Sequence, residues 1–343
     1  MKCISIVNTP LQLLNCIEFV SQYNVSEHTL LVYVTSEKRL MQIKSVLQLS
    51  YVASKIDKLH YIIAYGKGVS YLRTLSVRIK EKAMFLMKDY DYCIICNYHA
   101  IAHRNMFRLA SSNPKTQLVH LDDGLAIADC VEQRKEELAL GRPVLSCSRS
   151  DRFLYNYHIY KYVPKSILYF TPYKVKVADV DRFVKNEYSY LKSHIIQNNN
   201  TNFSHAKVIF LGQPIVASGM LTKEQYSFCL EKMLNLFGIN EGRILYLPHP
   251  VEDILSSLDK RFNEQIEVFK TDLPFELLCM SIDKDALVIG FYTAALSCIK
   301  TFDIKCRVYA IHPKYYYKDD KERHVIEAAY EYLRNMGINE INI

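Results

Sequence analysis

Two adjacent carboxylates, Asp122 and Asp123, close the segment 117–126, which reads Q-L-V-H-L-D-D-G-L-A. Leu118, Val119 and Leu121 form a short apolar run of the kind that makes a buried parallel strand, and Asp-Asp-Gly follows it as a turn signal. Such a strand delivers both carboxylates to the carboxyl edge of a sheet, where ligands bind in open α/β folds. A carboxylate desolvated at that edge can act as a general base, and Gly124 lets the backbone turn sharply beside it. An Asp-Gly pair also closes many ordinary strand–helix loops, so the motif needs a second set of residues to carry weight.

That second set stands at strand ends further along. His249 lies between Pro248 and Pro250, which fix the backbone around it and hold its imidazole in one direction. Gly290-Phe-Tyr-Thr293 ends another strand and opens a helix. A helix N-terminus with the Tyr292 and Thr293 hydroxyls beside it is a ready anion site, because unpaired N–H groups and the helix dipole both point at the ligand. His249 and Thr293 together could hold one phosphate. Glu276, opening the helix after Leu273-Pro274-Phe275, is spaced to meet a ribose or, more simply, to place a favourable charge in a first turn. Gly212-Gln213-Pro214 ends a further strand. Near the N-terminus Asn8, Thr9 and Gln12 occupy the loop between a strand, Ile4–Val7, and a helix marked by Leu11, Leu13, Leu14, Ile17 and Val20.

Positioning these residues takes two runs of alternating strands and helices. In the first, residues 29–35, 60–64, 92–96 and 118–121 read as further strands, with helices over 36–49 and 71–87. Beyond Gly124 the pattern becomes irregular, with Arg142-Pro143, a tyrosine-rich stretch at 153–162 and Thr171-Pro172 suggesting loops and helices that cap a cleft. The polar stretch Q-N-N-N-T-N at 197–202 is the natural linker. In the second run, strands are expected at 208–211, 244–247, 266–269, 286–289 and finally 307–310, with helices at 223–237, 252–258, 274–281 and 293–300. Alternation of this kind predicts an α/β protein of two Rossmann-like, doubly wound domains in the GT-B manner, residues 1–200 and 205–343, facing a central ligand cleft.

Composition narrows the classes. The chain has 343 residues, half of them hydrophobic, enough to bury a sizeable core in two domains. No apolar run approaches the roughly 18–20 residues of a spanning helix. Neither a signal peptide nor a membrane anchor is expected, which points to the cytoplasm. Ten cysteines then read as small buried hydrophobes in a reducing compartment, and the pair Cys93 and Cys96 falls inside a strand, on opposite faces, so no metal site is expected there. The net charge of +7 suits an acidic small molecule, an anionic membrane surface or nucleic acid; no nucleic-acid-binding module is present, so nucleic acid is set aside. The basic segment 71–87 would suit the cytoplasmic face of an inner membrane, though most such faces are simply solvated.

Asp122-Asp123-Gly124, His249-Pro250 and the hydroxyl pair in F-Y-T-A-A-L at 291–296 resemble, in order and spacing, the D/E-D/E-G, H-P and Ser/Thr motifs of bacterial sialyltransferases. Leu118–Gly124, Val208–Pro214, Tyr246–Pro250 and Ala286–Lys300 are most similar to glycosyltransferase family 52, the lipooligosaccharide sialyltransferases. The opening N-T-P-L-Q-L-L at 8–14 resembles capsular sialyl- and polysialyltransferases. The resemblance implies a GT-B fold, CMP-sialic acid as donor, inversion at the anomeric carbon, no metal and no cofactor. It implies a glycan acceptor, lipid-linked and ending in galactose, on a bacterial lipooligosaccharide, O-antigen or capsule, with a homodimer compatible. Carried over residue by residue, it makes Asp122 or Asp123 the base, His249 the group on the leaving phosphate, Tyr292 and Thr293 further phosphate contacts, and Glu276 the ribose contact. Asn8, Thr9, Gln12, Gly124, Gly212, Gln213 and Pro250 then line the substrates. One departure stands out: some family members carry their base just after the segment matching Gly212-Gln213-Pro214, where this chain has Ile215-Val216-Ala217. The rival readings are a GT-B enzyme using another donor such as UDP-glucose, a polysialyltransferase, and a non-enzymatic nucleotide or RNA binder.

Overall fold

The computed structural model describes residues 1–34, 36–63, 89–144, 162–198, 206–239, 243–249, 252, 262, 264–313 and 320–343. The basic helix expected at 71–87, Pro250, nearly all of the expected helix 252–258 and most of the tyrosine-rich stretch and of the polar linker lie outside the described residues. The chain divides into two compact units, Met1–His194 and Ile195–Ile343.

The first unit holds seven strands, β1 (Lys2–Val7), β2 (Glu27–Val34), β3 (Lys58–Ile63), β4 (Tyr92–Ile95), β5 (Gln117–Leu121), β6 (Leu168–Thr171) and β7 (Arg182–Lys185). They lie in the order β3-β2-β1-β4-β5-β6-β7, every pair parallel. Strand order reverses between β1 and β4, so the loops after these two strands diverge and leave a crevice at the carboxyl edge. Helices α1 (Pro10–Gln22), α2 (Glu37–Leu47), α3 (Ser50–Ala53), α4 (Ile101–Ala110), α5 (Ile127–Leu140) and α6 (Ser189–Asn198) accompany the sheet.

Helix α1 starts where the residues dictate. Thr9 caps it by accepting from the Gln12 N–H at 3.3 Å, and Pro10 occupies the first turn, where its missing N–H leaves nothing unpaired. Leu13, Leu14, Ile17 and Val20 pack into the core with Ile4, Ile6, Leu30, Val32, Ile94 and Val119. The polar residues Gln12, Asn15 and Glu18 are buried too. With Thr9 they recur every third residue, a polar row on an otherwise apolar helix.

Two buried ion pairs tie α4 to α5 and α5 to the turn entering β7. Arg104 meets Glu137 at 2.8 Å while Tyr98 donates its hydroxyl to the same carboxylate at 2.8 Å, and Arg134 grips Asp181 through two bonds of 3.1 and 3.2 Å. Unpaired, any of these charges would be costly so far from water.

The region after Gly124, expected to be irregular, instead contributes α5 and two further parallel strands. β6 is a fully buried four-residue strand set among tyrosines and prolines that read as loop, and β7 is an edge strand with Arg182 and Lys185 at its ends. The helix α4 between β4 and β5 is likewise absent from the sequence reading.

The second unit holds β8 (Val208–Leu211), β9 (Ile244–Leu247), β10 (Ile266–Val268), β11 (Leu287–Gly290), β12 (Arg307–His312) and β13 (Asn339–Asn342) in the parallel order β10-β9-β8-β11-β12-β13. Helices α7 (Lys223–Leu236), α8 (Phe275–Leu278), α9 (Ala294–Thr301) and α10 (Asp320–Asn335) complete it. The strand expected to be last, over 307–310, is followed by α10 and β13. β13 reads N-E-I-N and escapes a search for apolar runs because an edge strand buries little of either face. The core here is Phe210, Tyr226, Leu230, Met233, Tyr246, Ile289 and Phe291. Order reverses between β8 and β11, bringing Gly212-Gln213 beside Phe291-Tyr292-Thr293.

Candidate active site

In the first unit, the carboxyl ends of β1, β4, β5 and β6 bring together Asn8, Thr9, Gln12, Asp122, Asp123 and Gly124. Asp122 is 1 % exposed. Its Oδ2 accepts from Asn15 Nδ2 at 3.1 Å and from the Gly124 N–H at 3.3 Å, and Asn15 Nδ2 also reaches the Asp122 carbonyl at 3.1 Å. Its Oδ1 is buried and takes no hydrogen bond. Burial pushes the Asp122 carboxyl up to about 7. The Thr171 hydroxyl, close enough to favour the ionised form without the geometry of a hydrogen bond, and the Gly124 amide pull the other way, while Asp123 adds to the rise.

Asp123 differs from its neighbour. It is only partly enclosed, its Oδ1 accepts from the Thr9 hydroxyl at 3.3 Å, and Gln12 and the Arg39 charge also favour its ionised form against the upward push of burial. Gly124 follows with φ +68, a left-handed backbone that glycine adopts without strain, and opens the single 3₁₀ turn leading into α5. The two carboxylates thus have separate environments: one dry and partly unpartnered, one held by polar groups. A carboxyl with its pKa near neutrality is what general-base catalysis requires.

Asn8 is held by two neighbours. Its N–H donates to Gln12 Oε1 at 2.6 Å, and its Oδ1 meets His103 Nε2 at 2.8 Å. The backbone amides of Cys96 and Asn97 both donate to His103 Nδ1, so the ring proton sits on Nε2 and donates to Asn8. Burial lowers the His103 imidazole to about 3, so it is a neutral brace joining the loops after β1 and β4. The sequence carries no signal for His103, whose role depends on the crevice it spans. For Asn15 the signal is the three-residue spacing of Thr9, Gln12, Asn15 and Glu18, which betrays a polar face on an apolar helix.

In the second unit, His249 follows β9, and its N–H donates to Glu252 Oε2 at 3.0 Å while the Glu252 N–H returns to the His249 carbonyl at 2.9 Å. Glu252 is itself held by the Tyr246 hydroxyl at 2.5 Å, which lies 2.9 Å from the Tyr226 hydroxyl. Gly212 makes room for this carboxylate: a Cβ there would sit 2.3 Å from Glu252 Oε2 and 2.6 Å from the Tyr246 hydroxyl. Gly212, the position expected to touch substrate, also meets a packing requirement of the His249 loop.

Gln213 Nε2 donates to the Tyr292 carbonyl at 3.3 Å, leaving its buried Oε1 without a partner. Thr293 is the N-cap of α9, accepting from the Ala295 N–H at 3.3 Å. The Tyr292 hydroxyl is engaged with Met220 Sδ at 3.1 Å, and its ring packs edge-on to Tyr330. Glu276 is largely buried in α8, where Cys298 of α9 donates to its Oε1 at 3.7 Å. Cys93 and Cys96 are buried free thiols, and among the described residues no group of three His, Cys, Asp and Glu side chains gathers as metal ligands would. No helix among them is long and apolar enough to cross a membrane.

Two doubly wound parallel sheets with polar residues gathered at their carboxyl edges define the GT-B class of glycosyltransferases and related sugar-nucleotide enzymes. Solved structures of that architecture match the chain. The UDP-GlcNAc 2-epimerase from Neisseria meningitidis bound to UDP-GlcNAc is 13% identical with a TM-score of 0.52, covering 96% of this chain and 85% of that one. The UDP-N-acetylglucosamine 2-epimerase from Rickettsia bellii is 12% identical with a TM-score of 0.52, over 97% and 88%. The GT-B domain of a sialyltransferase from Photobacterium damselae is 12% identical with a TM-score of 0.51, covering 100% of both chains. Comparison with curated proteins returns no match. The family model of the alpha-2,8-polysialyltransferases (POLYST) matches residues 3–302, and the chain belongs to that family. It is a glycosyltransferase of the sialyltransferase kind, its family agreeing with the polysialyltransferase resemblance seen in its opening segment.

Proposed function

We propose that the protein transfers sialic acid from CMP-sialic acid to a sugar hydroxyl with inversion at the anomeric carbon, Asp122 acting as general base. The observation that carries this reading is a buried carboxyl raised to about 7 at the end of β5, with Oδ1 unpartnered. In the step proposed, the acceptor oxygen bonds to the anomeric carbon, the bond from that carbon to the phosphate oxygen breaks, and its electron pair leaves with CMP. The acceptor proton passes to Asp122 Oδ1. Asp123, whose Oδ1 accepts from the Thr9 hydroxyl, lies beside it as a second carboxyl. His249 and the capped N-terminus of α9 at Thr293 stabilise the charge growing on the leaving phosphate, and Glu276 is assigned to the ribose.

A donor with a single phosphate needs no metal to neutralise its departure, so activity is expected to survive a chelator. Full loss in EDTA with recovery on adding magnesium would count against the mechanism. The net charge of +7 supports a station at an anionic membrane face, where a lipid-linked acceptor is held. Two acceptors compete. A terminal galactose fits the lipooligosaccharide-like motifs, whereas the family match favours a glycan already ending in sialic acid, extended repeatedly. Incubation with CMP-sialic acid and a panel of galactose-ended and sialic-acid-ended oligosaccharides, followed by linkage and chain-length analysis, decides between them. Absence of transfer to every acceptor, with a different sugar nucleotide consumed, would overturn the donor assignment.

A further inference from the structure

We infer that Tyr188 and Asn15 are positioning residues for Asp122, forming a buried relay from hydroxyl to amide to carboxylate that holds Oδ2 and leaves Oδ1 as the oxygen without a hydrogen bond. This rests on the assignment of Asp122 as the base. Asn15 is fully buried, and its amide is spent completely: Nδ2 on the carbonyl and Oδ2 of Asp122, each at 3.1 Å, and Oδ1 on the Tyr188 hydroxyl, which donates to it. The two ends of an amide have nearly the same shape, so only its partners hold its orientation. Two acceptors on the Asp122 side and one donor on the Tyr188 side together allow a single orientation.

The backbone at Tyr188 shows how much structure is devoted to that hydroxyl. Three described non-glycine residues have positive φ: Asn24, Asp303 and Tyr188. Asparagine and aspartate visit this region readily in turns; a tyrosine at φ +51 is an outlier that its surroundings must enforce. They do so from three sides. The Tyr188 N–H donates to Asn186 Oδ1 at 2.9 Å, the Asn186 N–H donates to the Thr171 carbonyl at 3.0 Å, and the Lys192 N–H donates to the Tyr188 carbonyl at 2.9 Å. One turn along α1 from Asn15, the buried Glu18 carboxylate accepts from the Tyr190 and Leu191 amides, both at 2.9 Å, capping the first turn of α6. Helix α1 therefore fixes both ends of the relay, the base through Asn15 and the tyrosine-bearing turn through Glu18.

The test uses the full chain with CMP-sialic acid and a sialic-acid-ended oligosaccharide, or whichever acceptor the panel identifies. Tyr188→Phe removes only the hydroxyl and leaves Asn15 Oδ1 buried without a donor. We expect kcat to fall about tenfold with KM for CMP-sialic acid within about twofold, a loss confined to the step the base performs. The midpoint of kcat/KM against pH should rise by about half to one unit, because the amide donor that favours the ionised carboxylate is no longer held. Asn15→Ala should shift the midpoint at least as far. The double variant should be no worse than Asn15→Ala alone, since the tyrosine acts through the asparagine. If Tyr188→Phe does not fold, Asn15→Ser carries the same pH readout. A Tyr188→Phe enzyme with normal rate and midpoint, or losses that simply add in the double variant, overturns the relay. Asp122→Asn separates the two failures: if it stays active, the base assignment falls first; if it is inactive while Tyr188→Phe is normal, only the relay falls.

Discussion

Replacing Asp122 by asparagine should do two opposite things, and both follow from the same buried carboxyl. The asparagine oxygen can still accept from Asn15 and Gly124, and its amide nitrogen takes the place of Oδ1 near Thr171. Activity should fall by about 10²- to 10⁴-fold, the usual yield of general-base catalysis. Stability should rise. The carboxyl titrates at its ordinary 3.8 when unfolded and at about 7 when folded, so the folded state holds the proton more tightly. Wild-type stability is therefore undiminished by this group below about pH 4, declines as pH rises from about 4 to about 7, and stays lowered above that. At 1.36 kcal/mol per unit, the cost is about 2 kcal/mol at pH 5 and about 4 kcal/mol at pH 8. The variant avoids it, so its advantage over wild type should grow between those two pH values, at about 2–4 °C in Tm per kcal/mol. Thermal unfolding of both proteins at pH 5 and pH 8 measures this directly. A variant destabilised equally at both pH values would show that Asp122 is not a strained carboxyl but a structural one. Retained activity would remove it from the chemistry.

For the wild-type enzyme, kcat/KM should climb as pH rises through about 7, tracking ionisation of Asp122; a profile flat from pH 5 to 9 contradicts a base of this pKa. His249→Ala should lower kcat and weaken donor binding together, because its partner is a phosphate both before and during departure, whereas Asp122→Asn should leave CMP affinity nearly unchanged; calorimetric titration with CMP distinguishes them. Gly212→Ala should cost about 1–3 kcal/mol in urea unfolding and impair donor binding, since its methyl displaces the Glu252 carboxylate that pins His249, and unchanged stability would refute that packing argument.

The local alphabet of this protein is legible along the chain. Buried parallel strands are apolar runs whichever face they show, so β1, β2, β5, β8, β9 and β11 announce themselves, and Thr9-Pro10 and Asp123-Gly124 mark the turns at their ends. That alone places polar residues at sheet edges and yields two doubly wound units. Edge strands escape because they bury too little to need a pattern, as with β7 and β13, whereas the fully buried β6 is hidden by the tyrosine- and proline-broken stretch around it, which reads as loop. What no reading of spacing could decide is which aspartate is strained. Asp122 and Asp123 are adjacent and chemically identical, and they differ only because the fold closes Asn15, Thr171 and Gly124 around one and leaves the other to Thr9 and Gln12. Nor could it show that Tyr188, 173 residues from Asn15, reaches the same carboxylate. Desolvation and hydrogen-bond orientation are properties of the surrounding volume, and that volume is filled by segments far apart in the chain.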